Sequence, residues 1–297
     1  MRRVFIACLI GIASGGLCLA FRFLRGEEGD FWWALRFADD LLHRADPYAF
    51  TPSAQMVPYP LPVALFGLPV VWLPWPVAAA LFFGVSTALL AYGALRAAEG
   101  WRLSVLLSPP FFLAAVFTQW SPLIMAAAFF PVLAPLLVLV KPHIALPIAL
   151  FRFPSRRGLV IAVVIFGLSL IVMPTWPLRW IGMLGEFERM TPILTLPFGP
   201  LLLLAAMRWK DERARLLLLM AIMPHRALYD LVPLWLVPLN PIVAVALVGL
   251  SWVGFLLIPS AIVAPAWSVP LLYVPALISV LWPRQALASP AGATTGG

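Results

Sequence analysis

Three stretches of this chain contain no Asp, Glu, Lys or Arg: Pro47 to Leu95, Leu103 to Val140 and Leu231 to Pro283. A helix needs about 20 mainly apolar residues to cross a bilayer, so each stretch has room for one or two crossings. Of the 297 residues, 63% are hydrophobic and only 11% are charged, against roughly 25% charged in soluble domains. That balance excludes a water-soluble fold and predicts an all-α, polytopic helical membrane protein.

The formal charge of +8 comes from short basic clusters between apolar runs: Arg2 and Arg3, then Arg152 with Arg156 and Arg157, then Arg208 with Lys210, Arg213 and Arg215. Such clusters mark cytoplasmic loops, and no continuous basic face suggests a nucleic-acid partner. The apolar run Val4 to Phe21 exceeds the usual core of a secretory signal and is followed by no clear small-x-small cleavage site. It reads as a retained first span with a cytoplasmic N-terminus. Cys8 and Cys18 both lie in this run, about 15 Å apart along a helix, and cannot pair with each other.

One membrane domain, 1–284, is expected, with no internal repeat and a disordered Ala-, Gly-, Ser- and Thr-rich tail over 285–297. Expected spans are 4–24, 60–74, 77–95, 103–118, 121–140, 158–174, 193–207, 241–260 and 267–283, with shorter pieces at 142–151, 215–224 and 231–238. Treating the short pieces as half-helices broken at proline leaves about eight to ten crossings. The basic loops and Arg284 belong inside, and the charge-balanced loop from Pro174 to Thr195 outside. The region 60–95 admits two readings: both helices cross, or 60–74 is a surface or re-entrant helix. The 31 prolines favour an internal cavity, because a carbonyl freed within a span is satisfied only by packed helices or water.

Six of the twelve carboxylates fall in the first external loop, 25–58: Glu27, Glu28, Asp30, Asp39, Asp40 and Asp46. From Phe31 to Ala45 the apolar residues Phe31, Ala34, Leu35, Ala38, Leu41, Leu42 and Ala45 follow helical spacing, with Arg36, Asp39, Asp40 and His43 opposite. The pattern predicts an amphipathic helix on the membrane surface. Asp30 precedes it, either as an N-cap or as a general base held where lipid-borne headgroups arrive. Asp39 and Asp40 can pair with Arg36 and His43 as a solvated face. Asp46, before Pro47 and Tyr48, ends the helix in a turn.

Three polar sites interrupt the apolar runs. Lys141-Pro142-His143 either snorkels to the cytoplasmic interface or faces a cavity holding an anion. His225 and Arg226, with Tyr229 and Asp230 one turn on, form a second site in which Arg226 and Asp230 can pair at i, i+4. Gln119, beside Trp120, is the third. The three dispersed histidines, His43, His143 and His225, lack zinc spacing, no metal or cofactor is expected, and phosphate-loop, dinucleotide and serine-elbow motifs are missing from the sequence.

The order of these features resembles the GT-C superfamily of membrane glycosyltransferases, most closely glycosyltransferase family 87, which includes mannosyltransferases using polyprenyl-phosphate-mannose. The matching text is Asp30-Phe31, Asp46-Pro47-Tyr48, Tyr59-Pro60-Leu61-Pro62, Gln119-Trp120-Ser121-Pro122, Lys141-Pro142-His143, Trp176-Pro177 with Trp180, and Pro224-His225-Arg226 leading to Tyr229-Asp230. It covers residues 1 to about 240. The family's Tyr-Pro-Pro reads Tyr59-Pro60-Leu61-Pro62 here, its Gly-Gln reads Thr118-Gln119, and the interval from Gln119 to Lys141 is shorter.

The resemblance implies a GT-C-like fold in the plasma (inner) membrane, with an extracytoplasmic active site transferring a sugar, by association mannose, from a polyprenyl-phosphate donor to a lipid or glycan acceptor. It makes Asp30 the catalytic base; the charge on the phosphate leaving group then needs positive partners, for which Arg226, Lys141 and His225 are the candidates as donor-phosphate ligands. Asp46, Tyr48, Tyr59, Gln119, His143, Tyr229 and Asp230 become substrate-binding positions. Two rival classes share the sequence features: a transporter or flippase of lipid-linked sugars or small solutes, and a non-catalytic subunit of envelope assembly.

Overall fold

A computed structural model describes residues 1–49, 59–184, 189–258, 262, 263 and 265–281. Residues 50–58 of the first loop and the expected tail at 285–297 lie outside the described residues. The α-helices run in the order α1 (Arg2–Arg25), α2 (Trp32–Leu42), α3 (Ala64–Gly67), α4 (Trp75–Arg96), α5 (Pro109–Val116), α6 (Ser121–Ala127), α7 (Leu133–Val138), α8 (Pro142–Phe151), α9 (Arg156–Val172), α10 (Trp176–Gly182), α11 (Glu212–Ile222), α12 (Pro241–Leu257) and α13 (Val274–Leu281). Three-ten segments at Gly100–Leu107, Gly199–Arg208 and Leu228–Leu236 link them. Among the described residues β-pairing is confined to two isolated bridges, Met190 with His225 and Ala227 with Val263.

α1 and α4 form the central antiparallel pair, and small residues set their distance. A Cβ at Gly11 would stand 2.7 Å from the Gly84 carbonyl oxygen, and one at Gly84 would stand 2.9 Å from that of Gly11. Gly15 meets the Ala80 carbonyl in the same way. Gly11-x-x-x-Gly15 on one helix thus faces Ala80-x-x-x-Gly84-x-x-x-Ala88 on the other, the small-residue seam by which apolar helices approach in lipid. α1 ends where Gly26 takes a left-handed φ of 63° and returns its N–H to the Arg22 carbonyl.

The outer faces are apolar. Phe5, Leu9, Ile12, Phe23 and Leu24 on α1, Val160, Val163, Val164, Leu168 and Ile171 on α9, and Ile242, Val245, Leu256 and Leu257 on α12 are all exposed. Apolar surface on this scale calls for a lipid or protein neighbour. Two helices among the described residues, α1 and α4, are long and apolar enough to cross a membrane, or up to four if the bent pairs α5 with α6 and α9 with α10 each make one span.

That is fewer than the about eight to ten crossings expected from apolar runs, because the runs break at prolines and turns. The run 103–118 divides into a 3₁₀ segment and α5, and 121–140 divides into α6 and α7. Residues 60–74 give only a 3₁₀ turn and the four-residue α3, so of the two readings of 60–95 only α4 is of crossing length. α9 and α12 have 17 residues each, roughly 26 Å of helix.

α2 matches the expected amphipathic helix, with Trp33, Ala34, Leu35, Phe37 and Ala38 buried. It lies directly over α3, where a Cβ at Gly67 would overlap the Ala34 carbonyl. The expected apolar stripe is shifted at its end: Leu42 is exposed, while Trp33 and Phe37 turn inward. The inward aromatics pack on one another and on Tyr48.

Candidate active site

The site is assembled at the break between α5 and α6, which bend by 119°. Thr118 in this break has φ 48°, a conformation costly for a β-branched residue. Its surroundings hold it there. The Cys18 thiol lies 3.3 Å from the Thr118 hydroxyl, Asp30 donates its backbone N–H to the Phe117 carbonyl at 2.8 Å, and a Cβ at Gly29 would meet the Thr118 hydroxyl at 2.6 Å. Glycine at 29 lets the start of the first loop press onto the bend. Asp30 and Gln119 are brought together by that contact.

Asp30 does not cap α2. The first turn closes through backbone bonds from Trp32, Trp33 and Ala34 to Gly29, Asp30 and Phe31 carbonyls, and the helix start has no side-chain cap bond. The carboxylate turns inward, where Oδ2 accepts the Tyr59 hydroxyl at 2.7 Å and stands 3.7 Å from the Lys141 ammonium.

Lys141 opens α8, is buried, and does not snorkel. Its ammonium donates to Gln119 Oε1 at 2.7 Å and lies 3.4 Å from Asp230 Oδ1, with the Tyr59 and Tyr229 rings at 5.9 and 5.2 Å. The anions it faces are the protein's own Asp30 and Asp230.

Asp230 is fully buried on the segment Leu228–Leu236. Its Oδ2 accepts the backbone N–H groups of Arg226 and Ala227 at 3.0 and 3.4 Å and lies 3.6 Å from His143 Nε2. It ties the start of α8 to the Arg226 loop, which gives it a positioning role beside the cavity.

Asp30, Tyr59, Lys141, His143, Arg226 and Tyr229 line one cavity of about 180 Å³. A water takes roughly 30 Å³ of liquid volume, so a ligand several times that size fits. Trp180 on α10 and Arg189 also line it. Arg189 was not among the residues expected from sequence. A single arginine in a charge-balanced loop carries no spacing signal, and only its bridge-paired neighbour Met190 brings it to the site.

The other expected site residues stand back from the cavity lining. His225 is buried, with Nε2 at 2.8 Å from the Met220 carbonyl and 2.7 Å from the Tyr273 hydroxyl. It is not among the residues lining the cavity that Arg226 lines. Residues 225 and 227 are both bridge-paired, and alternation along an extended segment sends His225 to one side and Arg226 to the other. Asp46 accepts the Tyr48 backbone N–H at 3.0 Å, the expected turn, and both its oxygens take Arg179 Nη1 at 2.9 and 2.8 Å.

Tyr48 is buried and donates its hydroxyl to the Tyr59 carbonyl at 2.9 Å. Burial pushes the Tyr48 phenol up from its ordinary range, which keeps it a donor. Asp46 and Tyr48 thus hold Tyr59 in place from behind. Asp39 and Asp40 pair with His43 and Arg36 at 3.2 and 3.5 Å on the outer face of α2.

Chemically, the cavity lining combines a carboxylate held by a phenol and an ammonium with guanidinium and imidazole groups. It offers a proton acceptor together with anion-binding groups. The chain matches no family model, no curated protein and no solved structure, so its function is argued from this geometry.

Proposed function

We propose that the protein is a membrane glycosyltransferase of the GT-C kind, similar to family 87, which moves a sugar from a polyprenyl-phosphate donor to an acceptor on the extracytoplasmic side. The observation that carries this reading is the Asp30 carboxylate: it lies one residue before the N-cap position of α2, makes no cap bond, and faces the cavity instead. The apolar outer faces and the resemblance of the ordered motifs support it. In this reading the shorter apolar helices α8, α12 and α13 complete passes within the bilayer beside the longer spans, and the N-terminus is cytoplasmic.

Asp30 takes the proton from an acceptor hydroxyl as that oxygen attacks the anomeric carbon of the donor. The bond from that carbon to the phosphate oxygen breaks, its electron pair stays on the phosphate, and configuration inverts. Cations bordering the cavity stabilise the charge left on the leaving group. Mannose is the sugar proposed, on the strength of the resemblance alone.

Buried ion clusters beside bent helices also occur in carriers, which makes a lipid-sugar flippase the competing reading. Purified protein in vesicles, given radiolabelled polyprenyl-phosphate-mannose and a lipid extract, separates the two. A labelled product supports transfer; label redistributed across the bilayer with no product supports the carrier and overturns transfer.

A further inference from the structure

The bridge between Met190 and His225 is antiparallel, with both backbone bonds made at 2.8 and 2.7 Å. In that register Arg189 stands opposite Arg226, and alternation puts both side chains on the face away from Met190 and His225. The burial pattern agrees: Met190 and His225 are buried, whereas Arg189 and Arg226 line the cavity. Directly opposed residues hold their Cβ atoms about 5 Å apart, so two arginines from separate segments border the same space. Guanidinium forks match the oxygens of a phosphate in paired hydrogen bonds.

Lys141 is held among the protein's own oxygens. Its ammonium donates to Gln119 at 2.7 Å and has the Asp230 and Asp30 carboxylates at 3.4 and 3.7 Å. We propose that Arg189 and Arg226 form a two-arginine clamp for a phosphate monoester, and that Lys141 is a positioning residue for Asp30 with no contact to the phosphate.

The identity of that monoester as the lipid-phosphate leaving group rests on the glycosyl-transfer reading. As the anomeric C–O bond breaks, its electrons pass to the phosphate oxygen, and a diester monoanion becomes a monoester dianion. The acceptor's proton goes to Asp30. Two guanidiniums hold the dianion more tightly than the diester, which favours the transfer.

The test is calorimetric titration of the full-length protein in detergent with three probes: farnesyl phosphate, inorganic phosphate and farnesol. Arg189→Gln and Arg226→Gln each weaken farnesyl phosphate by about tenfold to a hundredfold, and farnesol binding is unmoved. The double variant loses less than the product of the two, because both arginines grip one phosphate. Arg189→Lys keeps the charge without the fork and falls between. Thermal unfolding of every variant is recorded alongside; should Arg226→Gln misfold, the exposed Arg189 carries the comparison.

Farnesyl phosphate binding far more tightly than inorganic phosphate identifies a lipid-borne group, and equal binding identifies free phosphate; either, if lost in Arg189→Gln, supports the clamp. Unchanged affinity in folded Arg189→Gln, or no phosphate binding by the wild type, overturns it. Arginine-dependent binding without sugar transfer overturns the transfer reading alone. Sugar transfer with arginine-independent binding overturns the clamp alone.

Discussion

The Tyr59 hydroxyl donates to Asp30 Oδ2 at 2.7 Å, so the proposed base is oriented by a phenol 29 positions away in sequence. Removing that hydroxyl in Tyr59→Phe keeps the ring against Trp120 and Lys141 and leaves the carboxylate without its shortest partner. A hydrogen bond to a charged group contributes about 1.5 to 3 kcal/mol, so transfer falls roughly tenfold to a hundredfold, in kcat with KM little changed. Steady-state kinetics on the two proteins checks it; an equal kcat contradicts the orienting role.

Asp230 is buried with Lys141 at 3.4 Å and two backbone N–H groups on its other oxygen. Asp230→Ala takes the nearer carboxylate from the Lys141 ammonium and leaves both amides without their acceptor, and breaking a buried pair in this way costs about 3 to 5 kcal/mol. Asp230→Asn keeps an acceptor for the amides and costs less. Tryptophan-fluorescence melting in detergent reads the order: wild type highest, Asn below it, Ala lowest. Ala melting with the wild type contradicts the bridging role.

The α1–α4 seam has an internal control. Gly84 faces the Gly11 carbonyl, whereas Gly16 has no atom within 4 Å of where its Cβ would lie. Gly84→Val forces the helices apart and destabilises by about 1 to 3 kcal/mol or more, while Gly16→Val is tolerated. Size-exclusion profiles and melting of both variants test this, and equal behaviour contradicts the close approach.

Some of this architecture is written locally in the sequence. α8 begins and ends at the expected residues 142–151, because Pro142 starts it and every residue from Ile144 to Phe151 is apolar. α1 and α2 follow from an unbroken apolar run and a clear amphipathic period. The number of crossings does not follow, since hydropathy cannot tell an apolar helix from apolar 3₁₀ turns such as Gly100–Leu107.

At the site, Asp30 and Lys141 are marked by charge in apolar surroundings. Whether Asp30 caps or faces inward depends on the bend at Phe117 and Thr118, reached through the Asp30 N–H to Phe117 carbonyl bond, a contact 87 positions away that no spacing encodes. His225 and Arg226 look equivalent as neighbours in sequence, and only the β-bridge separates them.

The most direct test of the account is transfer of radiolabelled mannose from polyprenyl-phosphate-mannose by the wild type and by Asp30→Asn, each shown to melt normally. Asparagine keeps an oxygen for the Tyr59 hydroxyl but cannot serve as a base. A positioned base contributes about a hundredfold to ten-thousandfold, so the account predicts labelled product from the wild type and a loss of that size in the variant. Near-normal turnover in Asp30→Asn, or no product from the wild type with any lipid acceptor, would contradict it.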